Sequence, residues 1–144
     1  DAGANQAMLN PPGSGGLLAA LHLWRKLLVA GPGKYGQVTY EGLAPVPGHN
    51  GLCDVLLAVG EGVETRFYCD PADGMLVCLE MYPDDETDPC EVYFSEYRME
   101  RGLNLPHRME VHNGDALFGV FALAGFDLQS TPEKAAEKAA EKTP

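Results

Sequence analysis

"YCDPADGMLVCLEMY", residues 68–82, is the stretch whose reading decides the fold. Two apolar-rich runs flank Asp-Pro-Ala-Asp-Gly, in which proline presets the first turn dihedral and glycine admits a left-handed one at the end. The segment reads as a hairpin closing with Asp70 opposite Met75, so that Cys69 faces Leu76 and Cys78 faces Phe67. In that register Cys69 and Cys78 share a face as diagonal neighbours, a geometry unsuited to a disulfide. The stretch is framework, not a redox or metal site built around a turn.

The same grammar extends in both directions. From Tyr35 onward the apolar period is two, in runs bounded by turn residues, which predicts strands near 35–43, 52–59, 63–70, 75–82, 90–97, 104–112 and 116–127. Short connections between consecutive strands imply an antiparallel meander. Leu105, His107, Met109 and Val111 alternate with Asn104, Arg108, Glu110 and His112 along one of these runs. The last run, "ALFGVFALAGF", is apolar on both faces, which predicts a central strand or one lying under a helix. Upstream, residues 17–30 read as a helix: His22, Arg25 and Lys26 form one polar stripe, and Leu17, Leu18, Leu21, Trp24, Leu27 and Leu28 cover the rest. "GPG" at 31–33 stops it. An apolar arc that wide must be buried against a sheet or another chain. Residues 1–16, ending in "NPPGSGG", have the composition of a linker, with Ser14 or a following glycine as helix cap. The domain is expected to span 17–129. Residues 130–144 repeat Glu-Lys-Ala-Ala, a flexible or partly helical tail.

The fold class expected is therefore α+β, mainly β: about seven antiparallel strands and one amphipathic helix. Length and composition agree. The 144 residues suit one domain, and 17 glycines with 11 prolines suit short strands and tight turns. A net charge of -11 argues against nucleic acid or anionic lipid headgroups as the main partner. The most apolar stretch, "LLAALHLWRKLLVA", is interrupted by three polar residues and falls short of the roughly 20 apolar residues that span a bilayer. The start shows no initiator Met and no signal-like run, so the chain is expected to be processed or cut from a longer one.

Candidate chemistry is sparse. Cys53, Cys69, Cys78 and Cys90 form no Cys-x-x-Cys pair and have no histidine at zinc-like spacing. Cys53 and Cys69 face each other if Gly60, Glu61 and Gly62 form a three-residue turn, and bridge in that case; a two-residue turn puts them on opposite faces and leaves free, packed thiols. His22, His49, His107 and His112 are available bases, but no Gly-x-Ser-x-Gly elbow accompanies them. "GSGG" precedes a helix without the strand and Lys of a phosphate loop. "PDDETDP", residues 83–89, lacks the spaced acids and central glycine of a calcium loop and reads as a solvated hairpin loop. No catalytic residue, metal ligand or cofactor is assigned, and the chain is expected not to be an enzyme.

Three motifs in fixed order carry a family resemblance: Phe67 through Met75, a strand running into Asp-Pro-x-x-Gly; "EVYFSEYR", residues 91–98; and "GLNLPHRMEV", residues 102–111. Together they resemble the carboxyl-terminal half of LolA-like domains, the fold of bacterial periplasmic lipoprotein carriers, over residues 50–128, with Phe67, Tyr93, Tyr97 and Leu105 matching as framework. Similar modules end some exported bacterial proteins that carry trypsin-like protease and PDZ modules. The resemblance implies a curved antiparallel sheet, an incomplete barrel, with a helix on its concave apolar face, where carriers accept acyl chains. It also implies a periplasmic or envelope location, whereas unpaired thiols would suit the cytoplasm. The expected function is a non-enzymatic binding module holding a lipid, acyl group or apolar protein segment. Leu21, Trp24, Leu28, Phe94, Met109, Phe118 and Phe121 are the expected lining. The alternative is a structural or regulatory module, without small-molecule ligand, at the end of a larger protein. A full carrier has more amino-terminal strands, so here either the helix fills the concavity or two chains complete one barrel as a homodimer.

Overall fold

A computed structural model describes residues 8–127. Each period-two run forms a strand: β1 (Gln37–Pro45), β2 (Leu52–Gly60), β3 (Val63–Cys69), β4 (Leu76–Tyr82), β5 (Cys90–Glu100), β6 (Leu103–Asn113) and β7 (Ala116–Ala122). All pairings are antiparallel and join chain neighbours, giving one open seven-stranded sheet in the order β1 to β7. The main helix, α1 (Leu17–Ala30), is followed by the single turn α2 (Pro32–Tyr35). The fold is α+β, mainly β, as the sequence predicts.

Helix α1 lies on one face of the sheet. Leu17, Ala20, Leu23 and Trp24 recur at helical spacing and are buried against Phe67, Leu79, Val92, Phe94, Met109 and Val111 of successive strands. Trp24 meets Phe94 with ring centroids 4.7 Å apart, and Tyr35 meets Phe67 edge-on at 5.7 Å. The opposite face carries a smaller cluster of Val46, Cys53, Val55, Tyr68 and Cys78.

Within the stretch read as a linker, residues 14–16 are buried against the sheet. Ser14 is fully buried, its Oγ accepting from Gly16 N at 3.2 Å and Leu17 N at 3.0 Å while donating to the Pro11 carbonyl at 2.7 Å. Gly16 itself is the helix cap, at φ 104. A Cβ there would lie 2.5 Å from the Met8 carbonyl oxygen and 2.7 Å from Met81 Cε. At Gly15 one would lie 2.7 Å from Asn113 Oδ1. The small residues that resemble a spacer are thus required by close passage of the chain over β4, β5 and β6. The Glu-Lys-Ala-Ala tail expected at 130–144 lies outside the described residues.

One register differs from expectation, and one alternative left open by the sequence is decided. Asp70 N donates to Met75 O at 2.8 Å, and Cys69 pairs with Leu76, as read from the turn. A bulge then places Cys78 opposite Tyr68 instead of Phe67, turning Cys78 to the face away from Cys69. At the preceding hairpin Gly60 pairs with Val63, leaving the two-residue turn Glu61-Gly62, both at positive φ. Cys69 consequently pairs with Asp54, and the Cys53–Cys69 bridge does not form; both are free thiols. Strand β7 is also placed differently: it is an edge of the sheet, not a central strand, because each strand pairs only with its chain neighbours and β7 is the last.

Candidate functional site

The residues expected to line a binding space lie mostly on the helix-bearing face. Trp24, Phe94 and Met109 are buried core, and Leu21 and Phe118 pack against that core partly buried. Leu28 is 57% exposed on the far side of α1, and Phe121 is 36% exposed on β7. The structure therefore brings five of the seven into the helix-sheet core and leaves two outside. The face on which a carrier would hold an acyl chain is occupied by the side chains of α1. One local device extends the core along β5. Glu96 adopts φ 55 within the strand, interrupting alternation, and Phe94 and Tyr97 both reach the core cluster. The Tyr97 hydroxyl donates to the Leu76 carbonyl.

The opposite face is polar at its centre. Glu80 Oε2 accepts from Tyr68 at 3.0 Å and Tyr82 at 2.6 Å, and Glu91 Oε2 accepts from Tyr93 at 3.1 Å. Glu80 and Glu91 stand directly opposite each other on β4 and β5. Burial and the Glu80 charge raise the Glu91 carboxyl, against the lowering effect of the Tyr93 hydrogen bond. Burial and Glu80 likewise push the Tyr82 hydroxyl up to about 12. Beside this network a groove of about 460 Å³ runs between the loop at Pro47–His49 and β5–β6, past Tyr93, Ser95, Arg108, Glu110 and His112. Its charges are already paired within the chain: Glu110 accepts from His112 at 2.8 Å and Arg108 at 3.1 Å, which lowers its carboxyl pKa.

The nucleophile candidates are likewise engaged. Burial raises all four thiols, Cys69 to about 11 and Cys90 to about 12, so each is a neutral thiol at pH 7. All four histidines sit against carboxylates: His22 on Glu61, His49 on Asp70, His107 on Glu100 and His112 on Glu110. Among the described residues no group of three or more His, Cys, Asp or Glu is placed to hold a metal ion.

Among the described residues the two edges of the sheet are unpaired, and they are built differently. On β1 a bulge lies between Tyr40 and Gly42, Glu41 ion-pairs with Arg66 at 3.1 Å, and Pro45 ends the strand. Charge, bulge and proline are the features that keep an edge from pairing with another chain. On β7, "ALFGVFA", there is neither charge nor proline. It has one bulge near its start, where Val111 pairs with Gly119 and His112 with Leu117, and Gly119 to Ala122 pair regularly with β6. Leu123 N donates inward to His107 O at 2.8 Å, and alternation then turns the backbone groups of Val120 and Ala122 to the open side. Leu117 and Val120 are 57% and 50% exposed. Neither residue stands out by sequence pattern alone, although the last strand of a meander is necessarily an edge and an uncharged one is distinctive.

Compared with protein-family models, with curated proteins and with solved structures, the chain finds no match.

Proposed function

We propose that the chain is a non-enzymatic interaction module that takes up an extended, uncharged apolar strand of a second polypeptide along the open edge of β7. The observation that carries this is the contrast between the edges: β1 has Glu41 and Pro45, whereas β7 exposes Leu117 and Val120 with no charged residue in the strand. Main-chain hydrogen bonds from Val120 and Ala122 would supply affinity, and the apolar side chains would supply selection for an apolar strand. The neutral, buried thiols favour a binding role over thiol chemistry. Holding an acyl group on the helix-bearing face, the function implied by likeness to the lipoprotein carriers, is less well supported. It would require α1 to lift Leu17, Ala20, Leu23 and Trp24 out of the core.

Photo-crosslinking tests the proposal. With benzoylphenylalanine in place of Leu117 in the full chain expressed in cells, the expected product is one discrete adduct to an extended segment, with Val120 as a second attachment position on the same segment. The same label at Leu43 on β1 should give none. Equal labelling at both edges, or no adduct at β7, would reject β7 as the docking edge.

A further inference from the structure

We infer that the strand seated on β7 is β7 of a second copy of this chain, the two edges pairing antiparallel about a two-fold axis; this rests on the strand-docking role proposed above. The flanking sequence offers no better occupant. "DAGANQA" before Met8 has no alternating apolar run, and the segment after Asp127 is dominated by Glu-Lys-Ala-Ala repeats and proline, a composition that favours helix or coil over strand.

A second β7 fits for three reasons. The strand is apolar on both faces, with Val120 opposite Glu110 on one side of the sheet and Phe121 opposite Met109 on the other. Two copies therefore meet apolar against apolar on either face, and no like charges are opposed across the new pair. The outward N–H and C=O groups of Val120 and Ala122 on each copy find the same groups on the other, which is the self-complementarity a two-fold interface requires. Long-range charge also permits the approach. The chain carries -11 overall, but the β6–β7 hairpin, residues 103–122, has only Glu110 and Asp115 against Arg108. Each copy thus presents a hairpin of low net charge to the other. A two-fold axis normal to the sheet would keep both α1 helices on the same face of one continuous sheet.

The test is sedimentation of the full chain from low to high micromolar concentration, read together with hydrogen exchange at Val120 and Ala122. A monomer–dimer equilibrium is expected, with those two amides becoming more protected as dimer forms. Val120→Lys should weaken dimerisation by about tenfold or more by placing like charges near the pairing axis. Leu43→Lys, on β1, should leave it unchanged, and circular dichroism of both variants checks the fold. A monomer at all concentrations whose Val120 and Ala122 amides exchange freely would overturn self-pairing and leave β7 open for another strand. A monomer in which they are protected at every concentration would overturn self-pairing and the docking edge together, because the chain would then cover β7 itself. A dimer that Leu43→Lys disrupts and Val120→Lys does not would likewise reject the inference.

Discussion

Ser14 concentrates at one residue what the amino-terminal stretch does. Its buried hydroxyl accepts from Gly16 N and Leu17 N at the start of α1 and donates back to Pro11 O, so all three partners lose a bond when it is removed. Ser14→Ala should lower stability by about 1–2 kcal/mol, measured as a shift in the urea midpoint, because its hydrogen bonds are lost at a site closed to water. A helix start at Ser14 or a following glycine was legible from a serine followed by glycines ahead of an apolar run. Its burial was not, since "GSGG" has the same composition whether the chain is loose or pressed against Met81 and Asn113. The cysteines were similarly ambiguous. Their burial predicts that a small alkylating reagent at pH 7 modifies Cys53, Cys78 and Cys90 only after unfolding, with partly exposed Cys69 slower than a free thiol in the native chain; mass spectrometry of timed samples checks the order.

Helix α1 shows how far an element's pattern goes. Its span, its stop at Gly31 and its apolar breadth follow from local sequence, but Trp24 and Leu28 were indistinguishable as lining. Only docking separates them, Trp24 against Phe94 and Leu28 toward the outside. Trp24→Ala should cost about 3–5 kcal/mol through the cavity it leaves. Leu28→Ala should stay within about 0.5 kcal/mol, as exposed positions do. Paired thermal and chemical denaturation of the two variants would measure the difference. The strands divide in the same way. Turn residues set where β3 and β4 begin and end, yet the bulge that moves Cys78 opposite Tyr68 has no sign in "MLVCLEMY", where apolar residues are compatible with either face. The left-handed Glu96, which lets Phe94 and Tyr97 both reach the core cluster, was equally invisible.

Across the whole molecule, burial acts on many acids in one direction. Cys69, Cys90 and Tyr82 are raised to about 11, about 12 and about 12, and Tyr68, Tyr93 and Tyr97 are raised as well. The folded chain therefore keeps these protons where the unfolded chain, with thiols near 8.5 and tyrosines near 10, releases them. The contribution is complete below about pH 8 and is lost as pH rises toward about 11–12. Urea midpoints should hold steady from neutrality to about pH 8 and fall progressively above it, and Tyr82→Phe should flatten part of that fall. A midpoint independent of pH to about 11 would contradict it. At this scale too the two ends of the sheet acquire their meaning, since the apolar character of β7 suggested a central strand or one under a helix, and its place in the strand order makes it an edge. By itself the sequence determined the seven strands, the helix, the antiparallel meander and the tight turns, because periodicity, capping and turn dihedrals are local properties of a few consecutive residues. The tertiary structure alone decided which face each half of a strand presents, whether the glycine stretch is spacer or close packing, which apolar residues of α1 and β7 stay exposed, and where the sheet remains open. Those outcomes depend on contacts between segments far apart in the chain, where a one-residue bulge or a single positive φ redirects the side chains around it.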